Sequence, residues 1–265
     1  MKNKMLLILL FVFYLSYGVV WYTFCTSTLQ ETKQKDMENF LLKAKVISIE
    51  KHVDESGRTD WWKINLDDGK MKQKGVFKFI NRTRPVFLPD SYHYEIAAYE
   101  LNKLLGLDIV PPAIEREIEE TKGSLQLMIQ GCITLSFQEK KGIEPPNQED
   151  FENALHDITV FENLAYCERY ELNDILIHEK DWKIYRVDFS EAFAPEEKLI
   201  PESEIIRCSK QHFYSLKDLD ENEVRLKLKP HLNEEEIKAL LKRKNIIIET
   251  INKLIEEKGE ESVLF

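Results

Sequence analysis

The sequence predicts an α+β chain of two lobes, a small antiparallel β-sheet with one helix followed by a larger, mainly helical lobe, behind an N-terminal transmembrane helix. Short β-branched and aromatic runs crowd the stretch before residue 131, and helical periodicity dominates after it. An uncharged, largely apolar segment runs from Met5 to Phe24. At 265 residues and 43% hydrophobic, the chain can bury one core of two lobes, or two small domains.

The apolar segment has about the ~20 residues that span a bilayer. Tyr22-Thr23-Phe24 lacks the small residues of a cleavage site, so residues 1–27 read as an uncleaved anchor rather than a signal peptide. Lys2 and Lys4 precede it and mixed charge follows, which weakly places the N-terminus in the cytoplasm and the folded part on the extracytoplasmic side. Cys132, Cys167 and Cys208 form no C-x-x-C spacing and fit a reducing compartment slightly better, so the side stays open. The net charge of −10 and a pI near 5.3 argue against a nucleic-acid partner, because phosphate binding needs a basic face. The run Lys242-Arg243-Lys244 falls within an amphipathic helix and reads as a solvated face.

Residues 28–40 are polar and read as a short helical stalk. The small lobe then spans residues 41–131, with strands at Val46–Glu50, Trp61–Leu66 and Gly75–Ile80 forming a meander. Asn81–Asp90, with Pro85 and Pro89, is a loop, and Ser91 is placed to cap the next helix. In that helix Ile96, Ala97, Leu101, Leu104 and Leu105 recur at helical spacing, Gly106 ends it, and Glu95 lies near its first turn. Val110–Ile118 and Ser124–Ile129 are two further strands joined by a Lys122-Gly123 turn, and Leu127 to Gly131 connects to the large lobe, residues 132–265. There Glu149–Leu164 is helical, Ile175–Ile177 and Lys183–Val187 pair as a hairpin, and a long amphipathic helix starts at Asn233 with Glu236 at capping-box spacing.

Phosphoryl transfer from a nucleotide needs a strand lysine on the phosphates, a helix glutamate to hold it, a carboxylate beside the attacking hydroxyl, and an Asn and an Asp on the metal. Lys78, Glu95, Glu168, Asn173 and Asp188 occur in that order. Lys78 sits between Phe77 and Phe79 and so points to the opposite face of its strand, as a point charge for phosphates. Glu100, five positions beyond Glu95, projects from another face of the helix and reads as solvated. Asp188 ends a strand, and across the hairpin from it Asn173 offers a second hard oxygen ligand for Mg²⁺ or Mn²⁺. Glu168 stands five residues before Asn173, where an aspartate is expected, and carries its carboxylate one methylene further out; Arg169 beside it either contacts phosphate or braces the loop. One glycine, Gly57, in the first turn is too few for a phosphate-cradling loop, and neither H-E-x-x-H nor G-x-S-x-G occurs.

The run Tyr94-Glu95-Ile96-Ala97-Ala98-Tyr99 through Leu104-Leu105-Gly106-Leu107 to Val110-Pro111-Pro112 resembles the helix and following strand of a bacterial group of atypical kinase-like proteins, related to the phosphatidylinositol 3-/4-kinase catalytic fold and to the Golgi secretory-pathway kinases. Gly123-Ser124-Leu125-Gln126, Asp181-Trp182, Asp188 to Phe193 and the closing Gly259 to Leu264 are similar to further pieces of that group. The resemblance implies a two-lobed protein-kinase-like fold binding ATP, with Lys78, Glu95 and the connection residue Met128 at the nucleotide, Asn173 and Asp188 on metal, and Glu168 and Arg169 in the catalytic loop. The expected partner is a hydroxyl-bearing protein, sugar or lipid. The group carries Asp-Arg where this chain has Glu168-Arg169, so a catalytically impaired pseudokinase, serving as a nucleotide-binding or interaction module, is the alternative.

Overall fold

The structure is a computed structural model that describes residues 32–53, 60–82, 89–169, 171–201 and 203–265. The expected anchor, residues 1–27, lies outside the described residues. Among those described, no helix is long and apolar enough to cross a membrane.

A first helix, α1 (residues 32–43), leads into β1 (Lys45–His52), β2 (Trp61–Asp67) and β3 (Lys72–Lys78). Two short strands, β4 (Asn81–Arg82) and β5 (Asp90–Ser91), pair with each other, and α2 (Tyr92–Leu104) follows. With β6 (Ala113–Ile118) and β7 (Thr121–Leu127), the first three strands make an antiparallel sheet ordered β1-β2-β3-β7-β6. Alternation sets its faces: Trp62, Ile64 and Leu66 of β2 and Phe77 of β3 are buried together, and α1 covers them with Phe40 and Leu41. The segment expected as a polar stalk therefore ends in a helix docked on the sheet, each buried aromatic or leucine contributing about 1.5–3 kcal/mol. Lys78 emerges on the other face.

The turn between β6 and β7 lies at Glu119-Glu120, both with positive φ (49° and 60°), not at Lys122-Gly123, which are paired inside the ladder with Glu117 and Arg116. Gly123 is there because β3 passes close: a Cβ on it would lie 2.2 Å from the Lys78 carbonyl oxygen and 2.8 Å from Phe77 Cζ. Gly123→Ala is expected to cost about 1–3 kcal/mol by overpacking and to loosen the strand that carries Lys78. Urea denaturation checks it, and wild-type stability would mean that the strands separate freely there.

Ser91 caps α2 as expected, its side chain accepting from His93 N, and Gly106 (φ 63°) follows the last turn. Tyr94, Ala97, Ala98 and Leu101 of α2 pack into the core of the large lobe. That lobe comprises β8 (Cys132–Thr134), α3 (Leu135–Lys141), α4 (Gln148–Ala165), the hairpin β9 (Ile175–His178) and β10 (Ile184–Arg186), then α5 (Lys210–Asp218), α6 (Glu221–Leu228), α7 (Glu234–Lys258) and α8 (Glu260–Val263). β8, which periodicity did not predict, joins the hairpin as a third strand. The Asn233–Glu236 capping box opens α7, and Ile237, Leu240, Ile247 and Ile251 face inward.

The basic run on α7 departs from its expected solvated face. Arg243 is fully buried, donating from Nε to Leu164 O (3.0 Å) and from NH1 to Ala194 O (3.0 Å) and Glu196 O (2.6 Å). Lys244 is buried as well. A guanidinium can go inside when carbonyls left over at a helix end and in loops need donors, which periodicity does not register.

Candidate active site

Three elements bring three charges together. β3 presents Lys78, the first turn of α2 presents Glu95, and the turn after β10 presents Asp188. Lys78 Nζ donates to Glu95 Oε1 at 2.6 Å and to Asp188 Oδ1 at 2.7 Å. The second Glu95 oxygen accepts from Phe189 N at 3.2 Å, so the buried glutamate is held at both ends. Glu100, as expected, lies apart from this group and pairs with Lys103. Asp188 has φ 66°, a left-handed conformation that Asp tolerates better than most residues, and Ser190 Oγ donates to its Oδ1 at 3.1 Å. Burial works against the charge on Lys78, but Asp188 and Glu95 outweigh it and push its pKa well above the usual lysine range. Burial likewise opposes ionisation of Asp188, and the Lys78 ammonium more than offsets this, holding the carboxyl well below the usual range.

The cross-hairpin carboxylate is Asp174 rather than Asn173. Val187 N donates to Asp174 O at 2.9 Å, and this pairing turns the Asp174 side chain toward Asp188 while Asn173 is exposed. Burial and the Asp188 charge push the Asp174 carboxyl up to about 7, with Arg186 partly offsetting them. Asp174 and Asp188 are the two carboxylates among the described residues that line this cleft, and both offer hard oxygen donors.

Asp174 binds its proton more tightly in the folded than in the unfolded chain. Its contribution to stability is therefore full below the unfolded pKa near 4 and is lost as pH rises toward 7. Asp174→Asn removes that loss and is expected to be more stable than wild type at pH 8 without divalent metal, by on the order of 2 kcal/mol, and nearly equal to it at pH 4. Urea denaturation at the two pH values decides this, a variant less stable at pH 8 being the contrary result.

Lys78, Asp174 and Asp188 open onto a cleft of about 670 Å³, which Met128, Leu127, Val76 and Arg169 also line. The volume suits a small molecule the size of a nucleotide. His52 and Trp61, whose rings stack at 4.0 Å, line it from the ends of β1 and β2. Arg169 is held by Glu171 (Nε to Oε1, 2.6 Å) and Glu191 (NH1 to Oε1, 3.0 Å). Glu168 is exposed and lines a different cavity of about 480 Å³ with Thr159, Glu162, Ser203 and Glu204. Arg186 joins the two, its Nε on Glu162 at 2.6 Å and its NH1 3.6 Å from Asp174.

No protein-family model matches the chain, and no curated protein matches it. Among solved structures, a hydra Fam20 determined with sugar superposes with a TM-score of 0.61 at 16% identity, covering 86% of this chain and 90% of that one. The Golgi casein kinase superposes at 0.60 with 13% identity over 88% and 79% of the two chains. The chain has an atypical kinase-like fold. A third likeness is to the Helicobacter pylori proinflammatory kinase CtkA, with a TM-score of 0.50, 11% identity, and 82% and 98% covered.

Of the residues singled out in the sequence, Lys78, Met128, Arg169 and Asp188 line the cleft and Glu95 touches Lys78, whereas Asn173 is exposed and Glu168 lines another cavity. Sequence order missed Asp174 and the buried Arg186. Asp174 enters through the hairpin register, in which Arg186 pairs with Ile175 and the next residue outward is Asp174, not Asn173.

Proposed function

We propose that this chain is a membrane-anchored, ATP-dependent kinase that transfers the γ-phosphoryl group of ATP to a hydroxyl acceptor on a protein, sugar or lipid. The observation that carries this reading is Lys78 clasped between Glu95 and Asp188 at the cleft that Asp174 and Met128 share. In this reading residues 41–131, with the docked helix α1 before them, are the nucleotide lobe, residues 132–265 the large lobe, and residues 1–27 the anchor, joined by what precedes α1, that leaves the folded part extracytoplasmic. Asp188 and Asp174 would hold Mg²⁺ or Mn²⁺, which would supply charge neutralisation on the phosphate oxygens. Lys78 binds the phosphates as a point charge and Glu95 keeps it aimed. Met128 packs on the base, His52 and Trp61 cover the cleft where other nucleotide sites use glycines, and Arg169, braced by Glu171 and Glu191, lines the phosphate side. Glu168 takes the acceptor proton when the acceptor hydroxyl reaches it from its own cavity.

The position of Glu168 also favours a second reading, a catalytically impaired module that binds nucleotide, because Glu168 is not among the cleft residues. Thermal shift with ATP and Mg²⁺, followed by radiolabel transfer, separates the two. A working kinase is expected to show Mg²⁺-dependent stabilisation, lost in Lys78→Ala, and labelling that falls about 10²-fold or more in Glu168→Gln. Stabilisation without labelling by the wild type selects the module, and no stabilisation at all rejects both.

A further inference from the structure

We propose that Asp157, Cys208 and His212 form a zinc site in the large lobe, apart from the cleft. The three come from the middle of α4, from the residue before the α5 cap, and from the first turn of α5, and their donor atoms all lie within 4.8 Å of one another. Cys208 and His212 are fully buried, while Asp157 is 17% exposed and offers an entry route. A thiol, an imidazole and a carboxylate are the borderline donor set that suits Zn²⁺ rather than Mg²⁺.

The spacing points the same way. His212 Nδ1 and Asp157 Oδ1 stand 3.3 Å apart, whereas a charge-assisted hydrogen bond between such groups is about 2.7–2.9 Å. A tetrahedral zinc with arms of about 2.0–2.1 Å holds its nitrogen and oxygen ligands about 3.3 Å apart. His212 Nε2 is buried with no hydrogen-bond partner, so the contact at Nδ1 is all that compensates the ring for leaving water. Ser209 N donates to Asp157 Oδ1 at 2.9 Å, orienting the carboxylate as an outer-shell partner does. Cys208 Sγ, 3.3 Å from Ser209 O, releases its proton to solvent when it binds the metal, and one position is left for water.

Such a site would weld the end of the chain to α4. Cys208 N donates to Val263 O at 3.0 Å and Phe265 N to Cys208 O at 3.2 Å, so the residue proposed to ligate zinc also bridges to Leu264, just after α8. None of the three residues lines the cleft, so the inference does not depend on the kinase reading.

The full chain, purified in detergent, stripped of metal and kept in excess Mg²⁺, is titrated with Zn²⁺ and with Co²⁺. One zinc per chain is expected after gel filtration, with a rise of several degrees in Tm. The cobalt form is expected to show thiolate charge-transfer absorption in the near ultraviolet that is absent from Cys208→Ser and weakened in His212→Gln. The wild-type spectrum stands alone should either variant fail to fold. No retained zinc, or bound cobalt without a thiolate band, overturns the proposal.

Discussion

If the chain is the proposed kinase, Asp188→Asn is expected to lower phosphoryl transfer at least about 10³-fold while leaving the domain folded, since loss of the carboxylate that would hold the metal removes electrostatic stabilisation of the transition state. Asparagine has the same shape and, like aspartate, accepts the left-handed backbone at φ 66°, so the turn survives where alanine would strain it. What disappears is the charge. Lys78 keeps Glu95 at 2.6 Å and so remains paired, but the cleft loses the carboxylate that stays ionised most readily. Removing the neighbouring anion should also let Asp174 ionise at lower pH, because the Asp188 charge helps to hold its proton. Two measurements follow: radiolabel transfer at saturating Mg²⁺ and ATP, and the thermal midpoint of the variant. Transfer within about tenfold of wild type would remove Asp188 from the metal site and with it the kinase reading.

Replacing Arg186 by methionine is expected to destabilise the domain by about 3–5 kcal/mol, the cost of stranding a buried charge. Arg186 is fully buried among polar groups of the large lobe. Its Nε donates to Glu162, NH2 to Cys167 Sγ (3.2 Å) and Arg169 O (3.3 Å), and NH1 to the carbonyls of Val187 and Asp188, the latter at 3.5 Å. Without it Glu162, 3% exposed, has no counter-charge, and burial alone already raises its pKa. The sign of the pH effect follows. In the variant Glu162 holds its proton more tightly folded than unfolded, so the deficit is smallest below pH 4 and grows as pH rises. Arg186→Met/Glu162→Gln should recover part of the loss, because the stranded carboxylate is gone. Urea denaturation of the three proteins at pH 5 and 8 tests this, and a single-variant deficit under about 1 kcal/mol would show that water reaches Glu162.

The residues that were legible from the chain each sit on a local pattern. Lys78 was placed by strand alternation against Phe77, Glu95 by its distance from the Ser91 cap, Asp188 by the end of an apolar strand, and the start of α7 by Asn233 and Glu236. The choice between Glu95 and Glu100 also came from helical geometry alone, because five residues rotate a side chain off the facing surface. Such patterns are short-range physics: which face a side chain takes is settled by the backbone within a few residues of it.

Tertiary structure decided everything that depends on two distant segments meeting. The hairpin register sent Asp174 rather than Asn173 into the cleft, since a slip of one residue exchanges the two faces. The loop path sent Glu168 to a separate cavity, the close passage of β3 and β7 put Gly123 inside a strand, and leftover carbonyls drew Arg243 inward. Asp157, Cys208 and His212 meet across more than fifty residues, and no spacing in the chain announces it. The sequence by itself therefore determined the two-lobed architecture and three of the charges that meet in the cleft, while long-range packing, which burial and ion pairing stabilise only once the chain has closed on itself, determined which neighbouring residue enters the cleft.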